Sequence, residues 1–128
     1  MTPSVVAAIE DLKKAFPNTD VTVLAEDGQG GAFVRVEEVD LGPGFAPAKT
    51  WVGAQLPSTL PYADVYPVFM TPGLTRVDGQ ALSGPFSQVA WQGLPATQVS
   101  RRSNRMNGGG QSALVKFVKV IEFVKGLA

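Results

Sequence analysis

At 128 residues, with 45% hydrophobic and 17% charged side chains, the sequence has the length of one domain (1–128) and enough apolar surface to bury a core, which excludes a disordered segment. Eleven Lys and Arg balance eleven Asp and Glu, so no global field favours nucleic acid or an anionic membrane, and no apolar run reaches the roughly 20 residues of a membrane span. Cys and His are both absent, which removes thiol nucleophiles, disulfides, thiolate or imidazole zinc sites and histidine-based triads from the chemistry of this chain.

The first predicted element is an amphipathic helix. Thr2 and Pro3 form a cap and first-turn proline, and Val5, Ile9, Leu12 and Phe16 recur at helical spacing until Pro17-Asn18 ends the run. No basic leader with an apolar stretch opens the sequence, so a cytoplasmic location is expected. Val21, Val23 and Ala25 then alternate with polar neighbours, Asp27 to Gly31 supplies a turn, and Ala32 to Val39 is the return strand, with Phe33, Arg35 and Glu37-Glu38 marking a wetter face. Leu41 to Lys49 reads as a loop and Thr50 to Leu56 as a third strand, giving an antiparallel meander.

From Leu41 to Thr75 the only charged residues are Lys49 and Asp64, and six of the ten prolines fall between Pro43 and Pro72. Prolines fix φ and remove backbone donors, so this segment is expected as an extended, buried cross-over with a short strand near Val68 to Thr71. After Asn107-Gly108-Gly109-Gly110, read as a flexible connector because it lacks the GK[ST] ending of a phosphate loop, Gln111 to Lys125 places Leu114, Phe117, Val118, Ile121 and Val124 on one face of a second helix, with Ser112 as cap and Gly126 after the last turn. The expected class is α+β: a helix, a meander of about four strands, a Pro-rich cross-over and a C-terminal helix.

The ordered series from Leu56 to Gly93, with Tyr66-Pro67, the extended Val68-Phe69-Met70-Thr71, Gly79 before a short apolar pair and the lone Trp91, resembles the middle of a ubiquitin-conjugating (E2, UBC-like) domain. The polar segment Gln98 to Arg105 leading through a loop into one helix extends the resemblance to the bacterial proteins called prokaryotic E2 family E, from about Val21 onward. Order carries this likeness, since no single piece is specific. It implies a UBC-like fold, with a ubiquitin-like protein, an E1-like activating enzyme and a JAB-type peptidase as partners, and no cofactor. Tyr66, Pro67, Gly79 and Trp91 match the family's framework positions, and packing explains the proline step and the indole without chemistry.

The sequence departs from the family at Gln80-Ala81-Leu82-Ser83, where Ala81 stands nearest to the position of the catalytic cysteine and cannot form a thioester. Leu74 to Asp78 offers no His-Pro-Asn triplet either, so the oxyanion machinery is missing with the nucleophile. The resemblance therefore implies a catalytically silent binding protein more readily than an enzyme. Its alternatives are an active conjugating enzyme, with the cysteine replaced in this chain or with Ser83 or Ser87 accepting the acyl group and Asp78, a Lys or a partner residue as base, and a peptide-binding module using the Pro-rich cross-over as its groove. Arg101, Arg102 and Arg105 form the one basic cluster, suited to acidic side chains, a carboxylate or phosphate unless Glu37, Glu38 or Asp40 pair with them. Those three acids alternate between strand faces, so no metal site is predicted.

Overall fold

The computed structural model describes residues 1–103 and 110–128. Helix α1 (Pro3–Ala15) starts at Thr2, whose hydroxyl accepts the Val5 N–H at 3.3 Å, and buries Val5, Ala8, Ile9 and Leu12. Helix α2 (Ala113–Lys125) is capped in the same way by Ser112, which accepts the Val115 N–H at 3.1 Å. Each cap satisfies one of the N–H groups that a first turn leaves without an intrahelical partner.

Between the helices run β1 (Val21–Glu26), β2 (Ala32–Asp40), β3 (Phe45–Ala46), β4 (Lys49–Leu56), β5 (Val68–Met70), β6 (Thr75–Arg76), β7 (Phe86–Trp91) and β8 (Leu94–Val99). Six of them form one antiparallel sheet in the order β1-β2-β4-β5-β8-β7, and β3 pairs with β6 apart from it. The expected meander is β1, β2, β4 and β5, with the Pro-rich segment crossing from β4 to β5. The expectation of about four strands is too low, because β7 and β8 add a hairpin beyond β5 and Phe45-Ala46 is a short strand rather than loop.

The hairpin turns at Gln92-Gly93, both at positive φ (52° and 78°), with Trp91 opposite Leu94. Two positive-φ residues give the turn whose twist matches the flanking strands. Pro95 is tolerated because it faces Ala90 in a pair that exchanges no ladder hydrogen bonds, and β5 pairs only with Thr97 to Val99, so its missing N–H leaves no bond unmade on the other side.

Alternation along the strands separates two faces. Val34 and Val36 of β2, Val52, Ala54 and Leu56 of β4, Val68 and Met70 of β5 and Val99 of β8 point to the helices and form the core with Leu12, Phe117, Val120 and Val124. A bulge in β2 between Val36 and Val39, with Glu38 at φ 51°, keeps Glu37-Glu38 out of that core while returning Val39 to it. On the opposite face Trp91 lies over Gly53, stacked on Phe69 (centroids 4.7 Å) and Trp51 (5.8 Å), with Phe33 edge-on at 6.5 Å.

The buried face of α2 is rotated from the expected one. Ala113, Lys116, Phe117, Val120, Ile121 and Val124 are buried, Leu114 is half-buried and Val118 is 42% exposed. A lysine thus occupies a position that periodicity assigns to the polar side, and its partners explain why.

Candidate functional site

After β6, the segment Gly79 to Ser83 runs across the surface toward β7. Gly79, Ala81 and Ser83 are exposed, while Leu82 packs against the core. Together with Arg76, Gln88 and Thr97, Gly79, Ala81 and Leu82 line an open groove of about 530 Å³. The Thr97 hydroxyl is already engaged, donating to Thr71 O at 2.7 Å and accepting from Gln88 Nε2 at 2.9 Å. Asp78 accepts the Gln80 N–H at 2.9 Å and a guanidinium hydrogen from Arg76. The Gln80 N–H above all, with help from Arg76, holds the Asp78 carboxyl below its ordinary range against the opposing effect of desolvation. Such a carboxylate is a poor general base, and Ser83 makes no hydrogen bond to a base among the described residues.

Tyr66-Pro67, a cis step, leads into β5, and the half-buried Tyr66 ring supports Arg102, whose guanidinium carbon lies 4.0 Å from the ring centroid. Trp91 stands on the outer face of the sheet, half-buried and packed among other aromatic rings, away from the helix-covered core. The framework residues are therefore not drawn into one cluster.

Arg101 and Arg102 are exposed, and Arg101 lies over Phe123 of α2 at 4.1 Å. Neither forms an ion pair with a described carboxylate. The alternative partner Glu37 is engaged by Arg35 instead, at 3.0 Å from Nε. Arg105, the third member of the cluster, and Asn107 to Gly109 of the connector lie outside the described residues.

Beneath the two arginines is a polar network without an equivalent in the sequence-based expectations. Lys116 Nζ donates to Asp64 Oδ1 (3.1 Å), Arg101 O (2.6 Å) and Ser103 Oγ (3.1 Å). Ser103 Oγ also lies 3.0 Å from Asp64 Oδ1 and 2.7 Å from Gln111 Oε1, and its N–H donates to Asp64 Oδ2 at 2.8 Å. Burial acts to raise the Asp64 carboxyl, but the Ser103 N–H, Lys116 and the Ser103 hydroxyl outweigh it and hold the group below its ordinary range. Buried charges persist where they are paired and fully hydrogen-bonded, which is the case for Lys116. The available signal was Asp64 itself, one of two charges in a long apolar stretch.

No protein-family model, no curated protein and no solved structure matches this chain. Among the described residues, no group of three or more acidic, His or Cys side chains converges as a metal would require, and no helix is long and apolar enough to cross a membrane. The described ionisable groups are arranged to hold structure at Asp64–Lys116 and to present charge at Arg101 and Arg102.

Proposed function

We propose that this protein is an E2-like component of a bacterial ubiquitin-like conjugation pathway, a member of prokaryotic E2 family E, that binds a ubiquitin-like protein or its E1-like activating enzyme without carrying the modifier. A JAB-type peptidase is the expected companion activity, and the cytoplasm the expected compartment. The observation that carries the reading is Ala81, exposed on the rim of an open groove at the point in the chain where the family places its cysteine, with no activated nucleophile beside it. The order of helix, four-stranded antiparallel meander, Pro-rich cross-over through Tyr66-Pro67 and C-terminal helix supports the UBC-like fold. The β7–β8 hairpin is an addition to that plan, and fold by itself does not assign function.

The test is incubation with an E1-like activating enzyme and a ubiquitin-like protein from a bacterial conjugation system, with ATP, read by gel and by NMR titration of the labelled protein. Non-covalent shifts around the Ala81 groove with no adduct are expected. An adduct resistant to thiols and cleaved by base overturns silence and identifies an active serine. Absence of any shift removes the pathway assignment.

A further inference from the structure

We propose that the groove bounded by Arg101, Arg102 and Lys119 is a docking site for an acidic linear peptide, with carboxylate side chains meeting the cations and apolar side chains meeting Val120 and Phe123. The inference does not depend on the E2-like reading. The groove is open and about 590 Å³ in volume. Three cations stand at it against one lining carboxylate, Glu122, and none of the three is within ion-pair distance of a described carboxylate. Lys116, which also lines it, is neutralised by Asp64, so its charge is spent inside the protein.

The two arginines are held for recognition. Arg101 lies over Phe123 and Arg102 over Tyr66, 4.1 and 4.0 Å from the ring centroids. Contact with the ring restrains each guanidinium, and no described group takes its N–H donors, which lowers the entropy lost on binding a carboxylate. The supporting backbone is fixed too, because Lys116 grips Arg101 O and Asp64 grips the Ser103 N–H.

Those same bonds disfavour a single phosphate as the ligand. Phosphate sites commonly use several free backbone N–H groups, and here the N–H of Arg101 is taken by Val99 O and that of Ser103 by Asp64. The cations are instead carried on side chains anchored to separate elements, the cross-over at Tyr66 and helix α2. Charges distributed in this way above an apolar floor match acidic and apolar residues strung along one chain.

Fluorescence anisotropy with a fluorescein-labelled peptide alternating Glu and Leu, titrated with the full chain, tests the proposal. The peptide is expected to bind, with affinity falling as salt is raised, and the same peptide with Gln for Glu is expected to bind at least about tenfold more weakly. R101Q/R102Q is expected to weaken binding by about tenfold or more, the size of losing charge-assisted contacts. K119Q, altered on the exposed side of α2, carries the same direction should the double variant fail to fold. Equal binding of the Gln peptide, or affinity untouched by both sets of substitutions, overturns the proposal. Displacement of the peptide by inorganic phosphate at lower concentration than by unlabelled peptide overturns it in favour of a phosphate ligand.

Discussion

Lys116, in the first turn of α2, bonds both carboxylate oxygens of Asp64, 52 positions earlier in the Pro-rich cross-over, at 3.1 and 3.3 Å. With 3% of the lysine side chain and 17% of the aspartate exposed, the pair clamps cross-over, helix and the Arg101–Ser103 segment together. The presentation of both arginines rests on this contact.

Lys116→Met is therefore expected to destabilise the fold by about 3 kcal/mol, because it leaves a partly buried carboxylate without its cation, held only by the Ser103 N–H and hydroxyl. Urea denaturation should show a lower midpoint at unchanged slope. Adding Asp64→Leu should recover part of the loss, since the stranded charge is then removed as well. A double variant less stable than Lys116→Met contradicts that account.

The acid limb of stability should carry the signature of Asp64. Its folded-state pKa lies below the ordinary carboxylate value, so its contribution is present above that value and is lost as pH falls through the folded pKa. Stability is expected to fall progressively below about pH 5. In Asp64→Asn the fall should be shallower, with the two curves converging at the acid end. Parallel curves from chemical denaturation across pH would show that Asp64 does not supply the linkage.

Gly53→Ala tests the outer aromatic face. A Cβ there would stand 2.7 and 2.8 Å from Trp91 ring carbons, inside van der Waals contact, so the indole must move off Phe69 and Trp51. A loss of about 1–3 kcal/mol is expected, with a changed tryptophan emission maximum. Trp91→Leu should absorb most of it, making the double variant less than additive. Full additivity would separate Gly53 from Trp91.

Ala81→Cys should leave stability within about 0.5 kcal/mol, because the position is exposed and outside the core. Its thiol should react completely with a thiol reagent in the folded protein. On the proposed E2-like function, with an E1-like activating enzyme charged, the variant is expected to take up the ubiquitin-like modifier as a thiol-sensitive adduct. Failure to do so while the activating enzyme remains charged overturns Ala81 as the ancestral position.

Local signals determined most of the elements. Thr2 and Ser112 mark helix starts because a hydroxyl before an apolar period is the cheapest partner for an orphan N–H, and alternation from Val21 to Leu56 marks three strands. The β7–β8 hairpin escaped because Pro95 argues against a strand and Gln92-Gly93 is a weak turn signal; both become acceptable only once β8 overshoots β5. At the candidate sites, the sequence shows which residue types are present: no thiol, no imidazole, one arginine cluster and, where the E2 resemblance would put a nucleophile, an alanine.

Tertiary structure decided which of these groups is free to act. Periodicity turns Lys116 to water, yet packing buries it, because Asp64, Ser103 and the Arg101 carbonyl, all remote in sequence, converge to replace its hydration. Similarly, Trp91 reads as a core residue but fills the outer face, since only Gly53, three strands away in the sheet order, leaves room for its ring. Burial and pairing are sums over distant neighbours, and a sequence read along its length contains the neighbours but not their meeting.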